Sequence, residues 1–287
     1  MSQQWLTATI SCTSETREIL SDFLLGLGSA WVSVENSNLI AYFPADANPD
    51  ELLSEITESI EALRSSGVDL PGELPAIREV SDEGWAERWT EFFKPLKISS
   101  RLVVTPPWET YEPDPGEEIL LLDPGMGFGT GSHETTRCCL KAIDDLVEDG
   151  NTILDVGTGS GILSIAAILL GAERATALDV DPAALQNARH NATLNNVQDR
   201  IFFEERSIQA TDQGYDIVVA NIFAETIVEL STLLKASVKP GRYLVLSGIM
   251  NPKSGMVEEA MGDFERLGTM VEGNWTTLTY QKKVSLQ

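Results

Sequence analysis

Positive charge is scarce in this chain. Its 287 residues carry 20 Lys and Arg against 44 Asp and Glu, a formal net charge of −24. Phosphate backbones are bound through clustered Lys and Arg, so nucleic acid is not an expected direct partner. A basic protein complements such a surface, although a generically acidic exterior explains the same composition. Cysteine is equally scarce. The 3 cysteines include the neighbours Cys138 and Cys139, which make no disulfide framework, and a reducing cytoplasm is expected. No apolar run approaches the ~18 residues of a membrane span, and "MSQQWLTATI" lacks a basic stretch followed by an apolar one. A soluble protein without an export signal is therefore expected. There is no internal repeat, no low-complexity segment and no metal-site pattern.

What is present falls into two parts. "WLTATISC", "AWVSVEN" and "LIAYFP" alternate as strands do, and Ile19, Phe23 and Leu27 keep helical spacing. A second helix is well signalled. Asn48 can cap it, Pro49 suits its first position, Asp50 and Glu51 favour its positive end, and Leu52, Leu53, Ile56, Ile60 and Leu63 form an apolar face. With "AIREVS" as a last short strand, the order β-α-β-β-α-β predicts a ferredoxin-like α+β unit. Acidity is concentrated there: the first 80 residues hold 3 Lys and Arg against 13 Asp and Glu. The expected boundaries are 1–65 for this domain, 66–100 for a linker and 101–287 for a larger α/β domain. Within the linker, Trp85, Trp89, Phe92, Phe93 and Leu96 give one helix a strongly aromatic face, suited to packing between domains or to facing a substrate. From there on, strand and helix patterns alternate to the end, predicting a parallel sheet with helices on both faces.

The segment "LDVGTGSGILSIAA" carries the chemistry. An apolar run of strand length leads into Gly157, Gly159 and Gly161, and a helix follows. Glycines on a strand-to-helix turn let a ligand approach the backbone at the C-terminal edge of an open α/β sheet. A dinucleotide fingerprint needs G-x-G-x-x-G, but here the third glycine comes one residue early and Ile162 takes its place. No Lys followed by Ser or Thr closes this glycine stretch, which excludes a P-loop here. The next strand, "RATALDVDP", ends in Asp179, 22 residues after Gly157, where a carboxylate can take both hydroxyls of a ribose. Asp181 before Pro182 reads as a helix cap. An adenosine bearing an amino-acid chain fits these features better than a pyrophosphate does.

"LDVGTGSG" followed by "ALDVDP" resembles the cofactor motifs of the class I methyltransferases, which bind S-adenosylmethionine. Three further stretches narrow the resemblance: "LLLDPGMGFGTGSHETTRCCLKAI", "DIVVANIFAETIVEL" and the closing "EGNWTTLTYQKK". Together with "WAERWTEFFKPLKISSRLVVTPPWE" they resemble the bacterial PrmA family, whose members methylate amino groups of large-subunit ribosomal protein eleven. The likeness covers nearly the whole chain. It implies a Rossmann-like methyltransferase domain behind a smaller substrate-recognising domain. It implies cofactor contacts from Thr136, Gly157, Gly159, Asp179 and Asn221, with S-adenosyl-L-methionine as cofactor. The chain departs from the family in reading "GTGSHETT" for "GTGTHPTT", with Glu134 in place of proline, and in having Thr158 where a cysteine is common. Glu204 and Glu205 are both open as the acid that meets the adenine amine.

For the chemistry, Asn221 at a strand end is expected to orient the attacking amine through its side-chain oxygen. His133 stands in the glycine-rich stretch around Gly125–Gly131 and suits either helix capping and packing or general-base work. His190, in the middle of "ALQNARHNATL", reads as structural or exposed. A related enzyme acting on another protein's lysine, or a noncatalytic nucleotide or NAD-binding module, are the competing assignments; NADH binding would favour the last.

Overall fold

The computed structural model describes residues 4–13, 16–29, 31–35, 38–45, 47–65, 75–81, 94–123 and 133–284. Two compact units emerge, Met1–Phe92 and Phe93–Gln287.

The first unit runs β1 (Gln4–Ser11), α1 (Arg17–Gly26), β2 (Trp31–Glu35), β3 (Asn38–Pro44), α2 (Pro49–Ser65) and β4 (Ala76–Ser81). Its sheet is antiparallel with order β2-β3-β1-β4, the ferredoxin-like arrangement expected from the element order. Alternation in β1 and β3 sends Leu6, Ala8 and Ile10, and Leu39, Ala41 and Phe43, into one core, where Leu20 and Leu24 of α1 and Leu52, Ile56 and Ile60 of α2 meet them. Asn48 caps α2, its Oδ1 accepting from the Asp50 amide at 3.1 Å. Leu53 is exposed rather than part of the apolar face, because it lies one residue past the buried stripe of Leu52, Ile56 and Ile60.

The expected boundary at residue 65 is too early. β4 falls inside the span assigned to a linker, yet it pairs with β1 from Gln4↔Ser81 to Thr9↔Ala76. Without it, β1 would leave one row of backbone groups unpaired. Leu96 likewise sits in a strand of the second unit rather than on a helix. The remaining aromatic-face residues, Trp85, Trp89, Phe92 and Phe93, lie outside the described residues, as does the glycine-rich stretch from Gly125 to Gly131.

The second unit opens with a three-stranded sheet of β5 (Leu96–Lys97), β6 (Leu102–Thr105) and β7 (Glu118–Leu121). Then follow α3 (Glu134–Leu146), β8 (Thr152–Val156), α4 (Ile162–Leu169), β9 (Arg174–Asp179), α5 (Pro182–Leu194), β10 (Ile201–Glu205), β11 (Tyr215–Asn221), α6 (Ala224–Ser237), β12 (Val238–Met250), α7 (Ser254–Ala260), β13 (Glu265–Glu272) and β14 (Trp275–Gln281). These strands form one sheet in the order β10-β9-β8-β11-β12-β14-β13, a Rossmann-like class I methyltransferase arrangement. Helices cover both faces. Ile153, Val219 and Val245 pack with α3, α4 and α5, whereas Leu154, Val218, Leu244 and Leu246 pack with α6 and α7.

The sheet is not parallel throughout. β14 runs antiparallel to both β12 and β13, because Gly273 and Asn274 alone join β13 to β14, and a two-residue connection cannot return a strand in the parallel sense. Among the described residues, no helix is long and apolar enough to cross a membrane.

Candidate cofactor site

Strand order reverses between β8 and β11, so the crevice for a ligand opens at their C-terminal ends. Gly157, Gly159 and Gly161 occupy the turn that leaves β8, with φ of 75°, 54° and 80°, a region that side chains other than glycine's seldom enter. The turn is held by the neighbouring strand. The carbonyl of Leu178, in β9, accepts from the amides of both Gly157 (2.8 Å) and Thr158 (2.9 Å). Space matters as well: a Cβ on Gly157 would stand 2.5 Å from Cγ2 of Ile222, just beyond β11, and one on Gly161 would stand 3.0 Å from Cβ of Ala188 in α5.

Asp179 ends β9 beside this turn. Its Oδ2 accepts from the Gly159 amide at 2.9 Å and its Oδ1 from the Asp181 amide at 3.0 Å. Each oxygen keeps acceptor capacity for a ligand hydroxyl. Asp181 caps α5 by accepting from Ala183 N at 2.8 Å, with Pro182 at the first helical position. Of the two glutamates open for an adenine contact, Glu204 is engaged by Arg206 Nε at 2.7 Å. Arg206 also grips Asp212 through two bonds of 2.7 and 2.8 Å. Glu205 is exposed and stands opposite Asp179 in the β9–β10 register.

Beneath the turn lies Asp155, a residue the sequence reading passed over. It is fully buried in β8, and its Oδ2 accepts from the hydroxyls of Thr158 (2.7 Å) and Ser164 (2.8 Å). Burial pushes its carboxyl up to about 6 against the pull of those hydrogen bonds, with nearby Asp179 adding to the rise. An acid two residues ahead of the first glycine is the signal that could have drawn notice to it.

Asn221 is the last residue of β11 and pairs in register with Ser247. Its Oδ1 is buried and accepts no hydrogen bond among the described residues, and the same holds for Thr136 Oγ1. Thr136 lies in the first turn of α3, which packs on β11, β12 and β14. That turn is fastened at its exposed side: Arg137 donates from Nε (3.0 Å) and Nη2 (2.5 Å) to Oε1 of Glu272, at the end of β13. The guanidinium holds the Glu272 carboxyl below the usual range. Orphaned polar atoms of this kind mark where a polar ligand is expected to supply the missing partner.

His133 serves as the N-cap of α3. Its Nδ1 accepts from the Thr135 amide at 3.3 Å, and its ring meets Trp275 edge-on at 5.3 Å between centroids. Nδ1 also lies 2.7 Å from the Thr135 hydroxyl, so this side of the ring is occupied by Thr135 in the capping role. His190 is half-exposed and faces Asp123 Oδ2 at 3.4 Å, a surface pairing as expected. The structure thus brings Gly157, Gly159 and Asp179 into one hydrogen-bonded turn and places Asn221 and Thr136 on elements bordering it. Glycine-lined space for a ligand backbone, acceptors for a ribose and two unfilled polar atoms fit an adenosyl amino acid.

Known proteins resemble this chain along most of its length. The family profile described as ribosomal protein L11 methyltransferase (PrmA) matches residues 4–283. Proteins named ribosomal protein L11 methyltransferase from Geobacter sp. (strain M21) and Geotalea uraniireducens (strain Rf4) are 36% and 38% identical. The first alignment covers 98% of this chain and 99% of the relative, the second 96% and 98%. Among solved structures, the ribosomal protein L11 methylase from Lactobacillus delbrueckii subsp. bulgaricus superimposes with a TM-score of 0.62 at 31% identity, covering 67% of this chain and 100% of that one.

Two measurements check the geometry. Asp179→Ala removes a charged acceptor, a loss of ~1.5–3 kcal/mol, so S-adenosylhomocysteine affinity by calorimetry should fall at least tenfold; an unchanged isotherm contradicts the ribose assignment. Asp155 gives a stability signature. Its folded-state pKa lies above that of an unfolded aspartate, so the folded protein retains a proton between pH ~4 and 6 and loses this advantage as pH rises through 6. Asp155→Asn should therefore gain stability relative to the parent at pH 8 compared with pH 5. Equal melting-temperature differences at both pH values contradict a raised pKa.

Proposed function

The chain belongs to the ribosomal protein L11 methyltransferase (PrmA) family, and we propose that it methylates amino groups of ribosomal protein L11, on lysine side chains, the N-terminal amine or both. Its cofactor is S-adenosyl-L-methionine, which when bound supplies an activated methyl group on a sulfonium sulfur. The observation that carries the amino-group reading is Asn221 Oδ1 at the end of β11, a buried acceptor without a partner among the described residues. A carboxamide oxygen can accept a hydrogen from an uncharged amine and so aim its lone pair, but it is no base. A lysine amine with a pKa near ~10.4 is protonated at neutral pH and must shed that proton before it can attack. Water is the acceptor this reading assigns to that proton.

The residues of the turn then hold and orient. Gly157, Gly159 and Gly161 admit the ligand's amino-acid portion against the backbone, Asp179 takes the ribose hydroxyls, and Thr136 offers its unfilled hydroxyl. As the new N–C bond forms and the S–C bond breaks, the sulfur leaves as a neutral thioether and the positive charge passes to the methylated amine. That amine stays an ammonium at neutral pH, so the one proton to be removed is the one shed before attack. Alignment of this kind can supply roughly 7–11 kcal/mol of a barrier.

The acidic first unit suits docking of the basic substrate. It lacks the glycine motifs, holds a core of its own, and carries far more acid than base. Attraction between such surfaces speeds encounter and weakens with salt, as the screening length falls from ~10 Å at 0.1 M to ~3 Å at 1 M. Three buried free thiols, Cys12, Cys138 and Cys139, support the proposal of a reducing, cytoplasmic location.

Incubation with isotopically labelled cofactor and purified L11, followed by peptide mass spectrometry, should place label on amines, and Asn221→Ala should lower turnover at saturating cofactor by ~10²-fold, of the order seen when one orienting hydrogen-bond partner is lost. Label confined to side chains without amines overturns the amino-group reading. Removal of residues 1–81 should preserve S-adenosylhomocysteine binding while L11 methylation nearly vanishes, and full activity of the shortened chain contradicts the docking role.

A further inference from the structure

Asn191 lies in the middle of α5 with no exposure to solvent, and neither the sequence motifs nor the cofactor contacts call for it. A buried carboxamide is tolerated only where its polar atoms are paired. Here both ends are used. Oδ1 accepts from the amide of Asp123 at 2.9 Å, and Nδ2 donates to the carbonyl of Ser160 at 3.0 Å. Ser160 stands between Gly159 and Gly161 in the turn; Asp123 follows β7.

One helical turn on, Asn195 continues the pattern. Its Oδ1 accepts from Leu121 N at 2.8 Å, and its Nδ2 donates to Leu121 O at 2.7 Å and to Asn191 O at 2.8 Å. Residues four apart share one face of a helix, so α5 holds residues 121–123 by a side-chain ladder whose upper rung reaches the glycine turn. The turn needs such support. Leu178 and Asp179 hold its amides from Gly157 to Gly159, and the Gly161 amide closes on Thr158 O at 2.9 Å. The Ser160 carbonyl, between two glycines, is held by Asn191, and any freedom left there before binding must be given up on binding.

We propose that Asn191 is a positioning residue for the cofactor: by fixing the Ser160 carbonyl against the exit of β7, it preorganises the turn that receives S-adenosylmethionine. This rests on the cofactor reading of the turn. Asn191 acts through the backbone of Ser160 and Asp123 and touches neither reacting atom. A merely structural amide would affect melting temperature and leave the affinity of the folded protein unchanged.

The isosteric substitution Asn191→Asp separates the two roles through pH. The introduced carboxylate keeps an acceptor for the Asp123 amide but presents no hydrogen to the Ser160 carbonyl. Once protonated, its O–H replaces the lost donor and the original pairing returns. Burial raises the pKa of such a group. The charged and titratable groups on the elements it joins are Asp155 and Asp179, which bond Thr158 and Gly159 of the turn, Asp123 paired with His190, and Arg189 on α5, which bonds the Phe203 carbonyl. Because Asp155 titrates near this range, each variant is referred to the parent at the same pH.

The experiment is calorimetric titration of the full chain with S-adenosylhomocysteine, from pH 6 to 8.5, below the melting temperature of each protein. At pH 8.5 Asn191→Asp should bind at least tenfold more weakly than the parent, and at pH 6 the gap should close to within threefold. Asn191→Leu should remain at least tenfold weaker throughout; if it fails to fold, the Asp variant decides alone. Binding within threefold of the parent at pH 8.5, or a gap that does not change with pH, overturns the positioning role. Absence of S-adenosylhomocysteine binding by the parent would overturn the cofactor reading instead.

Discussion

One carbonyl does more than any other group to define this site. Leu178 O receives the amides of both Gly157 and Thr158, and the next residue, Asp179, receives that of Gly159. The end of β9 thus dictates the path of the chain as it leaves β8. Such a latch requires that β8 and β9 be neighbours in register, Val156 opposite Leu178, so the site exists only once the sheet does. The latch also forces the glycines. A turn pulled this tightly toward β9 passes Ile222 on the β11 side and Ala188 on α5, leaving no space for side chains at Gly157 and little at Gly161. Asn221 is carried to the same crevice because β11 is the strand on the other side of β8.

The opposite edge of the sheet is closed by polar contacts. There Asp216, at the start of β11, accepts from the amide and hydroxyl of Thr152 at 3.0 and 2.9 Å and from Lys239 at 2.7 Å, with Arg242 Nε at 3.3 Å. Burial alone would raise the pKa of Asp216, but Lys239 and Thr152 prevail and hold it below the ordinary value. A buried carboxylate with this many partners is finished, and a ligand has nothing to add. At the C-terminal edge Asn221 Oδ1 and Thr136 Oγ1 find no partner among the described residues, so the same sheet has one edge tied by polar contacts and one receptive to a ligand.

Much of this was legible in the sequence, and the reasons are local. Gly157, Gly159 and Gly161 mark a turn by residue type alone, Asp179 ends a recognisable strand, and Asp181-Pro182 announces a helix start. Long-range pairing was less visible. The element order assigns "AIREVS" to the first unit, but the break at "SSGVDLPGELP" draws the boundary ahead of it, because the strand's pairing with β1, some 70 residues away, is not a local signal. Asn191 and Asn195 look like ordinary polar positions of a helix until β7 is laid against them, and Asp155 is hidden inside an apolar run. His133 could be read either as base or as cap, because only its contacts with Thr135 and the Trp275 ring show it seated as a cap.

The central claim is that a turn latched to β9 receives S-adenosylmethionine between Asp179 and Asn221. Amide chemical shifts of the isotopically labelled chain, followed through a titration with S-adenosylhomocysteine, test it most directly. The account predicts that the largest changes fall on residues 157–161, 179–181 and 221–222, with β1–β4 of the first unit little affected. Saturable changes centred on other strand ends, with the 157–161 amides unmoved, would contradict it.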